Sequence, residues 1–190
     1  ARRFAALPEE EQERILEASE QRNIPPFPER ESKAADRRRE RVNEQAEDAN
    51  DRDTEKRTRS ISVGLGEVKE EAKRYLSAQY TNDDGELFCQ LCKRPMPFKL
   101  DDGTYYFEAV EFLGSLKKRH YQNYLALCPN HSAMFRHANG SEKLMYDMFL
   151  ELESIELDVV LTQKDMSIKF TQIHIDDLKN VVATDKKSKE

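Results

Sequence analysis

Four side chains constrain this chain more than any other feature it carries. Cys89-Gln90-Leu91-Cys92 opens a segment that Cys128-Pro129-Asn130-His131 closes. Two thiols two residues apart, followed at a distance by a Cys-x-x-His pair, offer three sulfurs and one imidazole nitrogen. That is the donor set of a closed tetrahedral structural zinc site. The chain has three cysteines, and all belong to this set, so none is left over for a disulfide. Arg94-Pro95-Met96-Pro97 turns the chain away from the first knuckle, and Pro129 does similar work in the second. The alternative is a pair of buried reduced cysteines beside an unrelated surface His131. It leaves unexplained why every cysteine falls at ligand spacing. Zn2+ in a structural role, held by Cys89, Cys92, Cys128 and His131, is therefore the expected cofactor.

At 190 residues, the length suits one or two small domains. Charged residues make up 36% and apolar ones 37%, too polar for one large core spread evenly along the chain. The net charge of -6 argues against the whole chain coating nucleic acid, while leaving room for a local basic patch. No apolar run approaches the roughly 18 residues a membrane span needs. Reduced cysteines at metal spacing point to the cytoplasm. The first residue is Ala1 and there is no secretory apolar region, which suggests a piece of a longer protein with upstream domains as its nearest partners.

Two regions are expected. Residues 1–60 read as a charged, helical and partly flexible connector, and residues 61–190 as the zinc-binding domain with a C-terminal extension. In the first, Leu7-Pro8-Glu9-Glu10-Glu11 reads as a helix start, with Ile15 and Leu16 adding a little apolar surface. Ile24-Pro25-Pro26-Phe27-Pro28 breaks that pattern. From Glu29 to Lys56 nearly everything is polar, which predicts a solvated helix or mobile connector. A nucleic-acid arm built on Arg37, Arg38, Arg39 and Arg41 is the sharper alternative, opposed by the acids set among them.

In the second region, Arg59-Ser60-Ile61-Ser62-Val63 alternates like a short strand, and Gly64 and Gly66 lead into a helix with Val68, Ala72, Tyr75 and Leu76 on one face. Asp101-Asp102-Gly103 between apolar runs signals a hairpin. Pro129 to His137 should be a short helix with His131 on its first turn. Ser141 should cap the next helix, whose buried stripe is Leu144, Met145, Met148, Phe149 and Leu152. Leu157 to Leu161 and Ile168 to Phe170 read as strands around Gln163-Lys164-Asp165, and His174 to Val182 as a last helix with Ile175, Leu178 and Val182 inward. The fold class is α+β: a zinc module with flanking helices, closed by a C-terminal β-hairpin plus helix.

The knuckle, the hairpin, Asn123-x-x-x-Leu127-Cys128-x-x-His131 and the short helix together resemble the zinc-stapled HNH endonucleases, over about residues 86–138. The resemblance implies a treble-clef zinc module that holds the fold, separate from the chemistry. It also implies a hairpin carrying two adjacent histidines, one a ligand of the catalytic metal and one the general base. An asparagine that steadies the loop and a further histidine ligand in the closing helix complete the pattern. Here Val110 and Glu111 stand at the histidine pair, Asn123 at the asparagine, and Arg136 at the last position with His137 one residue on. A valine cannot ligate a metal. His137 is rotated by about 100° from the required direction. The scaffold thus reads as one that kept its zinc and lost its catalysis. Glu111, Asn123 and His137 remain the only candidates for an unorthodox metal-dependent nuclease.

A looser likeness spans Arg57 to Val182 and rests on the run from Lys118 to His131. It resembles the C-terminal part of large bacterial proteins that carry a sacsin-like, Hsp90-type ATPase region, which implies nucleic-acid handling or phage defence.

Lys117, Lys118 and Arg119, with His120, are candidates for contacts to the phosphates of DNA or RNA. Arg136, Lys93 and Arg94 join them if the knuckles close. Such contacts give affinity without sequence readout; an ordinary solvated loop is the alternative. Tyr105, Tyr106, Phe107 and Phe112 either stack on bases or pack the hairpin against a helix. His120 and His137 read as surface or near-site residues, and His174 as a helix-start residue without chemistry. A second metal site from Glu108, Glu111 and His137 is the remaining possibility. Three functions follow: a non-catalytic zinc module that binds nucleic acid or docks a partner within a larger defence or repair protein, an HNH-type nuclease with unorthodox ligands, or a purely structural interaction domain.

Overall fold

A computed structural model of the chain describes Pro8, residues 10–12, Arg14, and residues 27–30, 33–48 and 63–187. In chain order the elements are α1 (Ala35–Asp48), α2 (Val63–Tyr80), β1 (Glu108–Glu111), β2 (Tyr124–Leu127), α3 (Pro129–His137), α4 (Met145–Leu150), β3 (Glu156–Leu161), β4 (Lys164–Lys169) and α5 (Gln172–Lys187). The result is a mixed α and β chain with two small antiparallel sheets, β1–β2 and β3–β4. In the first sheet Glu108 faces Leu127 and Glu111 faces Tyr124; in the second Glu156 faces Lys169 and Leu161 faces Lys164.

The apolar stripe of α2 packs as its spacing predicts: Ala72, Leu76 and Tyr80 are buried, and Val68 and Tyr75 are half-buried against them. Its beginning differs from expectation. Val63 is helical rather than part of a strand, and Gly64 and Gly66 lie inside the helix rather than before it. Glycine weakens a helix interior by roughly 0.5–1 kcal/mol relative to alanine, so it does not end one where packing further along holds the segment. Residues 59–62 lie outside the described residues, as do Ile15, Leu16 and residues 24–26. At Pro8 the carbonyl accepts from the amides of Glu11 and Gln12, both at 3.0 Å, a helical turn where the sequence predicts a helix start.

The polar α1 is docked rather than solvated all round. Val42 and Ala46 are buried, and the helix lies against α5. Arg38 donates to both carboxylate oxygens of Asp177, at 2.7 and 2.5 Å, and the Tyr75 hydroxyl donates to the same carboxylate at 2.8 Å. The alternative of a nucleic-acid arm thus loses Arg38, whose guanidinium is paired with Asp177. Its partner Asp177 lies far along the chain, so no local pattern reveals the pairing. Ahead of α1, Phe27 sets its ring edge-on to Tyr80 and Phe88 at 5.7 and 6.0 Å.

The core is one connected cluster whose centre is aromatic. Phe112 meets Phe149 at 5.5 Å and Phe170 at 5.6 Å, and Phe170 meets the His174 ring at 5.3 Å. His174 in turn meets Tyr75 and Tyr80 at 5.4 and 5.7 Å. Edge-to-face contacts of this kind add about 0.5–1.5 kcal/mol per pair beyond burial. The cluster joins the 112 loop, α4, the end of β4, α2 and α5.

Three local expectations need correction. Ser141 does not cap α4: Leu144 occupies the N-cap with no side-chain bond, while the Ser141 hydroxyl accepts from the Val160 amide at 2.9 Å. The serine is drawn to β3, where an edge amide would otherwise lack a partner. Leu144 is 59% exposed, because α4 starts one residue later than the stripe implies; Met145 and Phe149 are buried as expected. The last hairpin turns at Thr162 and Gln163, with φ of 52° and 62°, so Lys164 and Asp165 already belong to β4. Two successive left-handed residues suit the twist of a two-residue hairpin.

Candidate metal centre

The first knuckle is a turn closed between two extended flanks. Phe88 pairs with Pro95, and the Met96 amide donates to the Leu87 carbonyl at 2.7 Å. Between them the Cys89 amide donates to the Arg94 carbonyl at 2.9 Å, and the Lys93 amide to the Cys89 carbonyl at 2.9 Å. Lys93 takes the left-handed conformation, φ 58°, that this tight reversal needs. Pro95 therefore brings the chain back alongside Phe88 rather than leading it away. Lys93 Nζ is anchored by Glu156 Oε2 at 2.6 Å and Ser167 Oγ at 2.7 Å.

The second pair of donors sits at a strand-to-helix junction. Cys128 is the extended N-cap of α3, with φ -68° and ψ 160°, and Pro129 occupies the first turn, where its missing N–H has no cost. His131 falls on that turn, as the spacing predicts. The junction brings Cys89, Cys92, Cys128 and His131 together so that their donor atoms all lie within 4.8 Å of one another. Cys128 Sγ is 3.1 Å and Cys89 Sγ 3.8 Å from His131 Nδ1. The Cys128 amide donates to Cys89 Sγ at 3.4 Å. Cys89 and Cys128 are buried; Cys92 and His131 are half-buried.

The four groups bias one another's protons. Hydrogen bonds with Cys128 and Cys92, and then burial, push the Cys89 thiol up. Hydrogen bonds with Cys89 and Cys92, with His131 adding to them, hold the Cys128 thiol far below its usual range. Hydrogen bonds to Cys128 and Cys92 raise His131 to about 9.

One residue inside the knuckle supports it from beneath, and the ligand spacing alone does not reveal it. Gln90 is fully buried. Its backbone amide donates to the Ala126 carbonyl at 3.0 Å, and its Oε1 accepts from the Ala126 amide at 2.8 Å. Its Nε2 donates to the Lys169 carbonyl at 3.1 Å, and its own carbonyl accepts from the Lys169 amide at 2.9 Å. Gln90 thus fastens the knuckle to β2 and β4 at once. Only the three-dimensional neighbours show that this glutamine points inward.

The remaining candidates divide. Asn123 is fully buried; its Oδ1 accepts from the Leu113 amide and its Nδ2 donates to the Leu113 carbonyl, both at 2.9 Å, closing the loop between β1 and β2. Val110 is buried on β1 and Glu111 is half-buried beside it. Arg136 and His137 are exposed at the end of α3, and Arg136 Nη2 reaches Glu108 Oε2 at 3.2 Å. Val110, Glu111, Phe135, Arg136, Glu142 and Lys143 line a cleft of about 480 Å³. Among the described residues, no second group of three or more metal-ligating side chains comes together, so Glu108, Glu111 and His137 do not form one.

Of the basic loop, Lys117 is exposed and its amide donates to Asp185 Oδ1 at 2.8 Å. Lys118 Nζ donates to the Glu47 carbonyl at 2.6 Å, at the C-terminal end of α1, and Arg119 is half-buried. His120 is 5% exposed, a correction to its surface reading; its carbonyl accepts from the Asn123 amide at 3.0 Å, which holds that stretch inward. Phe107 and Phe112 are core residues, while Tyr105 and Tyr106 remain half-exposed. His174 lies at a helix start as expected, but fully buried. Its Nε2 donates to the Gln122 carbonyl at 2.8 Å, so Nδ1 accepts from the Tyr80 hydroxyl at 2.5 Å.

What the fold and site define is a mixed α and β chain with a Cys3His cluster at metal-binding distance. The chain matches no protein-family profile, no curated protein and no solved structure. No described helix is long and apolar enough to cross a membrane.

Proposed function

We propose that this chain is a zinc-stapled, non-catalytic interaction module. The observation that carries the reading is the convergence of three sulfurs and one imidazole nitrogen within 4.8 Å. Around a tetrahedral Zn2+ with bonds near 2.3 Å to sulfur and 2.0 Å to nitrogen, neighbouring donors stand about 3.5–3.8 Å apart. The separations of 3.1 and 3.8 Å to His131 Nδ1 bracket that spacing. The hydrogen bond that the Cys128 amide donates to Cys89 Sγ is the kind of outer contact that steadies a ligating thiolate. Zinc there would fix the knuckle to the β2–α3 junction and supply no reaction.

The order β1, β2, α3, with ligands in the preceding knuckle and at the helix start, supports the treble-clef, HNH-like description. In that frame the cleft beside β1 and α3 corresponds to the catalytic position, and it presents Val110, Glu111 and Arg136 instead of histidines. The longer resemblance suggests service inside a larger defence- or repair-type protein. Engagement of a protein rather than a nucleic acid is favoured by the use of Lys93 and Lys118 in internal bonds and by the net charge of -6.

Metal analysis of the purified chain should find one zinc per chain, and chelation or Cys128→Ser should abolish cooperative folding. A fully folded metal-free protein, indifferent to that substitution, sinks the reading. Binding to DNA and RNA should be weak at low salt and unaffected when Lys117, Lys118 and Arg119 are all changed to Ala. Magnesium- or manganese-dependent plasmid nicking that disappears on Glu111→Ala would instead make the chain a nuclease.

A further inference from the structure

We propose that the 97–106 turn and the charged groups at its base form a self-complementary surface through which two copies of the chain pair; this deepens the protein-docking reading and rests on it. Phe98 and Leu100 are 47% and 46% exposed. The Lys99–Tyr105 bridge, with the Leu100 amide donating to the Thr104 carbonyl at 2.7 Å, sets Phe98 opposite Tyr106 and Leu100 opposite Thr104. Alternate residues share a face in extended chain, so Phe98, Leu100 and Tyr106 lie together. The Phe98 and Tyr106 rings stack at 5.2 Å with 9° between their planes. Lys99 covers Tyr105, its ammonium 4.5 Å from the ring centre.

The two ends of this strip carry opposite charge. At the turn, Asp101 and Asp102 are exposed, with Asp102 fixed by the Thr104 amide and hydroxyl at 2.9 and 2.6 Å. At the base, the Tyr106 hydroxyl donates to Glu108, which also receives Arg136 at 3.2 Å and Lys69 at 4.0 Å. Lys69 and Arg136, both with side chains 42% exposed, share that one carboxylate. The order acid, apolar, base runs over about 20 Å of extended chain. A two-fold rotation of such a strip lays apolar middle on apolar middle and each acidic turn on the other copy's Lys69 and Arg136. That is the geometry of an isologous interface. A nucleic acid suits the strip less well, because Asp101, Asp102 and Glu108 repel phosphate and Leu100 offers no ring to stack on.

Sedimentation velocity on the zinc-loaded chain, over about a thousandfold range of concentration, reads the equilibrium directly. The expected result is a mass rising from one chain toward two, and staying at one chain for Phe98→Ser with Leu100→Ser. The charge test uses two variants: Asp101→Lys with Asp102→Lys, and Lys69→Glu with Arg136→Glu. Each alone should stay monomeric, and an equimolar mixture should dimerise, since each then complements the other. A wild-type chain that is monomeric throughout overturns the proposal, as does a dimer indifferent to Phe98 and Leu100, or a monomer that binds single-stranded nucleic acid through Phe98. Zinc content and folding are measured on the same samples, so loss of pairing with both intact overturns the interface without touching the zinc reading.

Discussion

His174 shows how one buried side chain sets a pH limit on the fold. Burial is the main cause that lowers it to about 4 from an ordinary value of 6.5. The unfolded chain takes up a proton below pH 6.5, and the folded chain does so only near pH 4. Stability is therefore full above pH 6.5 and declines as pH falls toward 4, by about 3 kcal/mol in all. Urea denaturation of wild type and His174→Gln at several pH values checks this. The wild-type slope in that window should be the steeper, and the difference between the two cancels any loss of metal common to both. The same scale shows what a sequence conceals. Cys89, Cys92, Cys128 and His131 are legible because their spacing is itself the chemistry. Gln90 and Gln122 are buried polar residues bonded to partners far along the chain, and no local pattern marks them as internal.

Elements were legible where their own residues determine them. The bounds of α3 agree with the reading of Pro129 to His137 because proline at the first turn fixes where the helix begins. The last hairpin and α5 follow from alternation and from an apolar stripe, and Thr171 adds the cap: its Oγ1 accepts from the His174 amide at 3.2 Å. α1 is the contrary case. Its sequence offers little to bury beyond Val42 and Ala46, and the most buried polar contact that attaches it is the ion pair of Arg38 with Asp177, exposed 22% and 2%. Arg38→Ala leaves a buried carboxylate with only the Tyr75 hydroxyl. It should destabilise the docked state by about 2–3 kcal/mol, less than a fully buried pair because Arg38 is partly solvated. Limited proteolysis should then cut within α1 while sparing α2 and the sheets.

At the scale of the molecule, the Cys3His cluster joins segments that have little local stability of their own. A two-stranded sheet is marginal alone, and here two of them meet across the knuckle. Ligation by thiolates and a neutral imidazole must expel the protons that Cys89 and His131 favour, so zinc affinity should fall steeply with acid. A competition titration with a chromophoric chelator at pH 6 and pH 8 reads this as weaker binding at the lower pH. Cys89→Ser should weaken zinc at both.

Gln90 makes a kinetic statement about the whole chain. Because its carbonyl and its side-chain oxygen hold the amides of Lys169 and Ala126, both amides are freed when the knuckle lets go. Native-state hydrogen exchange should find the Ala126 and Lys169 amides relaxing at one common rate, in one cooperative unit. Withdrawal of zinc should accelerate both by the same factor, and Gln90→Ala should let the two rates part.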